Sequence, residues 1–180
     1  MFKFFNVLFI LIVSILIFTG CTTEESYKTP EQAFVATGIK SKGIIKKVQL
    51  TDGEVIFYEG LNNDVGVGLA RNYKGNWKWI SGHGMEASSS FPVTFSWANL
   101  EQMKKAGKGY HIFWGSVNDE KINKLHITYD NEWNLNEDAL FFDSGLGFRI
   151  WYVVSTYYYG TVPGIKATGY DKDDQIVYEN

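Results

Sequence analysis

Apolar and polar residues change rhythm along this chain. From Val7 to Phe18 every residue except Ser14 is apolar, with no alternation. Beyond Gly43 the apolar residues fall into short alternating runs broken by Gly, Asn and Asp, the pattern of strands joined by turns. Ile44–Leu50 and Glu54–Tyr58 flank Thr51-Asp52-Gly53, and Val65–Arg71 and Trp77–Ile80 flank Asn72-Tyr73-Lys74-Gly75-Asn76. In the last of these runs Trp77 and Trp79 share one face and Lys78 takes the other, as a strand requires. In front of this meander, Thr29-Pro30-Glu31-Gln32 reads as a helix start. Thr29 caps, Pro30 suits the first helical position and Gln32 completes a capping box. Gly38 ends the helix, which is expected over residues 30–37.

Ser81 to Ser90, with Gly82, Gly84 and three consecutive serines, reads as a loop that holds His83 and separates residues 29–84 from 91–180. Pro92 opens a strand in which Val93, Phe95 and Trp97 alternate with Thr94 and Ser96. Asn99 then caps a second short helix near residues 100–106, stopped by Gly107. Six further strand-like runs follow: Tyr110–Trp114, Lys124–Tyr129, Ala139–Phe142, Phe148–Thr156, Gly164–Gly169 and Gln175–Tyr178. Phe148 to Val154 is apolar on both faces except for Arg149, so it is expected at the centre of a sheet. The pattern predicts a mainly β fold, an antiparallel β-sandwich or two packed sheets with two short helices, with α+β as the alternative. Residues 29–84 and 91–180 are expected to pack as one unit.

The first twenty residues belong to a different category. A basic residue at Lys3, a short apolar core and the small Gly20 at its end are the marks of a secretory signal. Spanning a bilayer takes about 20 apolar residues, and Val7 to Phe18 falls short of that. Cys21 follows directly and is the only cysteine in the chain, so it has no internal disulfide partner. The stretch Ile17-Phe18-Thr19-Gly20-Cys21 resembles the lipobox of bacterial lipoproteins, with Phe18 standing where that pattern prefers an aliphatic residue. The resemblance implies cleavage before Cys21, acylation of its thiol and a lipid anchor on the outer face of the cell membrane. Two acyl chains, at about 0.8 kcal/mol per buried methylene, hold durably where one is marginal. Residues 21–28 are polar and aperiodic and are expected to form a tether.

Composition narrows the functional classes. Without Lys3 the remaining chain carries 16 basic and 20 acidic side chains, a net charge of −4. No basic patch or charged tail is present, which argues against nucleic acid as a partner. Six Trp and eleven Tyr, all beyond residue 20, supply ample core material. Fifteen lysines against two arginines match the usage of AT-rich Gram-positive genomes.

Motifs for catalysis are sparse. The chain lacks His-Glu-x-x-His, Gly-x-Ser-x-Gly and a phosphate-binding glycine loop. His83, His111 and His126 have no zinc-ligand spacing, and no metal or cofactor is expected. Asp130 to Asp138 is rich in oxygen donors, but Leu135 and Phe141 stand where a calcium loop needs Gly and a carboxylate, so the stretch reads as an acidic hairpin loop. Glu54, Glu59, Asp64, Asp138 and Asp143 are available as a carboxylate pair for glycoside hydrolysis. Tyr157-Tyr158-Tyr159 follows the apolar strand, and alternation sends these rings to both faces, exposing at least one. Exposed tyrosine suits protein interfaces and sugar platforms. The expectation is a non-catalytic extracytoplasmic binding module for an envelope protein or a cell-wall glycan, with a small cell-wall hydrolase as the alternative.

Overall fold

The structure is a computed structural model that describes residues 26–85, 90–100, 109–129, 135–156 and 164–180. It is mainly β and antiparallel throughout. Helix α1 (Pro30–Val35) begins as its sequence predicts: the Thr29 side chain accepts from the Gln32 amide at 3.2 Å, and the Lys28 amide donates to Gln32 Oε1 at 3.1 Å. Gly38, at a φ of 72°, turns the chain out of the helix. The helix buries Pro30, Ala33 and Phe34, and Phe34 packs against Ile56, Tyr58 and Ala70 of the first sheet.

That sheet is the predicted meander, β1 (Ser41–Gln49), β2 (Gly53–Gly60), β3 (Val65–Tyr73) and β4 (Asn76–Met85), in sequence order. Both faces of β2 are buried: Val55 and Phe57 point to the molecular centre, while Ile56 and Tyr58 lie beneath Phe34. Across β3 and β4 the helix-facing positions include Gly66 and Gly68, and a Cβ at either would overlap the ring of Tyr58 or Trp79. Glycine is therefore what allows these rings to lie flat on the sheet. Trp79 faces α1 and the next residue, Ile80, the opposite core, as strand alternation requires, and a bulge at the Leu69/Ala70 register shift leaves Ile80 with no residue opposite it.

Two further four-stranded sheets complete the architecture. The central sheet runs β5 (Ser96–Asn99), β6 (His111–Val117), β10 (Arg149–Ser155), β9 (Leu140–Asp143). The outer sheet runs β12 (Ile176–Glu179), β11 (Ile165–Tyr170), β7 (Lys124–Tyr129), β8 (Leu135–Asp138). Strands β6 and β10 are apolar on both faces because the central sheet is sandwiched. Ile112, Trp114, Ile150 and Tyr152 meet the first sheet, whereas Phe113, Trp151 and Val153 meet the outer one. Each large side chain so buried contributes about 1.5–3 kcal/mol. The layers are therefore helix, sheet, sheet, sheet: the mainly β antiparallel sandwich expected from the sequence, built from three sheets. The expected central position of the 148–154 run is correct, since β10 lies inside its sheet.

Several boundaries depart from the sequence reading. Ser81 to Met85, expected in a loop, continue β4, and His83 pairs with Val67 there. Asn99 ends β5 instead of capping a helix, and residues 101–108 lie outside the described residues. Leu135 to Asp138, assigned to an acidic loop, form β8 against β7. The chain then passes through Ala139, whose amide donates to Leu125 O at 2.8 Å, and continues as β9 in the central sheet. One extended run thus joins two sheets at a corner. Tyr27, expected in the tether, forms an antiparallel bridge with Trp77 on the edge of β4.

Candidate functional site

Where β6 gives way to β7, the chain turns on itself through Asp119, whose carboxylate accepts the Lys121 amide at 2.9 Å. Arg149, the first residue of β10, clamps this turn by donating to the carbonyls of Asp119 (3.1 Å) and Ile122 (2.6 Å), its guanidinium stacked over Phe141. Beside it, the β9–β10 turn is closed by Asp143, which accepts the Gly145 amide at 2.8 Å. Gly145 and Gly147, both at positive φ, make that turn sterically possible. Across the β6–β7 turn, the Asn118 side chain donates to Phe91 O at 2.7 Å and fixes the segment leading into β5. Phe91 itself stands 63 % exposed.

These turns border two adjoining open clefts at one end of the central sheet. One, of about 540 Å³, is lined by Phe91, Pro92 and the 118–121 turn, and the other, of about 220 Å³, by Asn118, Glu120, Asp143, Gly147, Phe148 and Arg149. Asn118 and Glu120 line both. The surface thus offers an exposed aromatic ring, carboxylates and two cationic side chains along one groove, a mixture suited to a polar ligand with apolar faces.

A second polar cluster lies on the solvent face of the outer sheet. His126 bonds through Nδ1 to Asp138 Oδ1 and through Nε2 to Asn136 Oδ1, both at 2.7 Å, while its neighbours Leu125 and Ile127 are wholly buried. The hydrogen bond from His126, joined by Lys124 at 3.4 Å, holds the Asp138 carboxyl below its ordinary value. With both ring nitrogens engaged, His126 ties edge strand β8 to β7 and leaves no lone pair aimed at a hydroxyl.

At the end of the central sheet opposite the groove, Asn99, His111 and Ser155 occupy one cross-strand row. His111 and Ser155 are buried, and the Ser155 hydroxyl has no hydrogen-bond partner. Close by, Asp52 pairs with Arg71 and accepts the Tyr110 hydroxyl at 2.9 Å, linking the first two sheets. Burial, with Asp52 adding to it, raises the Tyr110 phenol above its ordinary value.

The five carboxylates singled out from sequence do not converge. Glu54 faces Lys47, Glu59 faces Lys42, Asp64 closes the β2–β3 turn, Asp138 holds His126 and Asp143 holds its own turn. Among the described residues no three His, Cys, Asp or Glu side chains are grouped to hold a metal. Cys21 and Tyr157, Tyr158 and Tyr159 lie outside the described residues. Sequence reading passed over Phe91 and Ser155, and treated Arg149 only as the polar exception in an apolar strand. That exception was the available signal, because a cation in a buried strand needs acceptors close by. Comparison of the chain with protein-family models, with curated proteins and with solved structures finds no match.

Proposed function

We propose that this chain is a lipoprotein held by acylated Cys21 on the outer face of a bacterial membrane, and that its domain is a non-catalytic binding module for an envelope protein or a cell-wall glycan. The observation that carries the binding reading is the groove headed by exposed Phe91. Asn118, Asp143 and Arg149 in it are held by hydrogen bonds to the surrounding turns, and the carboxylates proposed from sequence for catalysis are each engaged locally. Tyr157, Tyr158 and Tyr159 remain proposed contributors.

Intact-mass measurement of the native protein tests the anchor: a diacylated cysteine at the mature N-terminus is expected, and Cys21→Ala abolishes it. Pull-down from solubilised envelope and from purified cell wall tests the site. Phe91→Ala is expected to lose the captured partner without loss of fold, and Tyr158→Ala asks whether the tyrosines share that role. Capture unchanged in both variants would rule out both surfaces.

One observation favours the alternative of a small cell-wall hydrolase, namely that Glu120 and Asp143 line the same 220 Å³ cleft. Release of soluble fragments from purified wall, lost in Glu120→Gln and Asp143→Asn, would select it over simple binding.

A further inference from the structure

We propose that the β3–β4 hairpin rests on the phospholipid surface, with Tyr73 at its tip and Lys28, Lys74 and Lys78 touching lipid phosphates. This inference depends on the reading of Cys21 as the lipid anchor and adds the orientation of the domain. Tyr27 and Trp77 exchange both backbone hydrogen bonds, at 2.8 and 2.7 Å, so the chain leaves the anchor and joins the fold on the edge of β4. Tyr27 lies six positions after Cys21, which limits their distance to roughly 20–22 Å at full extension and to about 13 Å for a flexible coil. Trp77 in turn lies next to the hairpin turn, where Lys74 and Gly75 adopt φ values of 57° and 87°. The short connection therefore brings this hairpin, and not the groove at the other end of the central sheet, toward the bilayer.

The chemistry of the hairpin fits that position. Tyr73 is 48 % exposed, and the Lys78 ammonium lies 5.7 Å from the centre of its ring. A phenol with an apolar body and polar tip, flanked by lysines, is the side-chain combination that settles at the headgroup level. Among the described residues of this end, Asp52 is engaged with Arg71 and Tyr110, and Glu31 with Lys47. Glu24 and Glu25, which precede Tyr27 in the sequence, subtract from the attraction. Near an anionic surface each lysine strengthens association about fivefold. Seated this way, the groove around Phe91 faces away from the membrane, toward the wall and its proteins.

The test uses the full lipidated chain in vesicles of phosphatidylcholine and phosphatidylglycerol carrying a fraction of quencher-labelled lipid. With Cys21 acylated, Tyr73→Cys supplies the single free thiol for an environment-sensitive fluorophore, and Asp173→Cys in the β11–β12 turn is the distant control. The label at 73 is expected to shift to the blue and be quenched by lipid, the label at 173 to remain aqueous. Lys74→Glu with Lys78→Glu is expected to weaken the quenching at 73. Protein that floats with the vesicles while both labels report water overturns the proposal alone. Protein that fails to float removes the anchor, and the proposal with it.

Discussion

The indole N–H of Trp151 donates to the carbonyl of Thr94 at 2.9 Å, and the bond passes over Gly115, the residue that Trp151 faces across the β6–β10 pair. Trp114, equally buried on the opposite face of the same sheet, has no partner for its indole nitrogen. The two tryptophans should therefore respond differently to loss of the N–H. Trp151→Phe deletes the hydrogen bond to the Thr94 carbonyl, which costs about 0.5–1.5 kcal/mol in addition to the lost volume. Trp114→Phe loses similar volume but also removes an uncompensated polar atom. Urea unfolding should show the Trp151 variant less stable by at least about 1 kcal/mol, and equal midpoints would contradict this account.

The glycines beneath aromatic rings make a second prediction. A Cβ on Gly115 would strike the Thr94 carbonyl, and one on Gly68 would strike the Trp79 ring and the Ser81 carbonyl. Alanine at either position should cost about 1–3 kcal/mol through overpacking. Gly84, in the same strand system, has open space where its Cβ would be, so Gly84→Ala should stay within about 0.5 kcal/mol. Thermal unfolding of the three variants is enough to check the order.

The Asp138–His126 pair predicts an acid-sensitive edge. The Asp138 carboxyl is held below its usual value in the folded chain, first by the His126 hydrogen bond. A carboxyl depressed by folding stabilises above its unfolded pKa of about 3.9 and loses that contribution as pH falls through the lower folded value. Because Asp138 is exposed, solvent screening limits the effect to at most about 1 kcal/mol. Asp138→Asn should therefore be less stable than the parent chain at neutral pH, and the difference should shrink as pH falls below the unfolded value and vanish once it is below the lowered folded value. A difference that persists in acid would assign the stabilisation to something other than the charge.

Truncation locates the true start of the fold. Removing residues 1–25 should leave melting unchanged relative to the mature chain. Removing residues 1–28 also deletes the two Tyr27–Trp77 bonds and the Lys28 amide bond to Gln32. That loss should cost about 1–2 kcal/mol, given about 0.5–1.5 for each net hydrogen bond and the recovered chain entropy. Identical melting of both truncations would show that the bridge at Trp77 does not form.

Much of the fold was legible because local chemistry and tertiary environment agree. The capping box at Thr29 and the Asp-Gly turn before β2 act over a few residues, and both appear where expected. The errors arose where a strand is recruited by a partner that its own residues do not announce. Gly82-His83-Gly84 lacks β propensity yet is strand because β3 offers it a ladder, and Asn136 to Asp138 is strand because β7 does. Asn99 reads as a helix cap and is instead paired with His111.

The sequence by itself determined the strand-rich character of the chain, the helix at Pro30, the interior position of β10 and the expectation of a lipidated Cys21, because each depends on residues near one another along the chain. Tertiary structure alone decided that the sheets number three and that β8 and β9 pass from one to another at Ala139. It also decided that Phe91, Glu120 and Asp143 border one groove. Those relationships join residues dozens of positions apart, and no local preference encodes them. They follow from which apolar faces find each other, since burial is non-directional and is resolved only when the whole core packs.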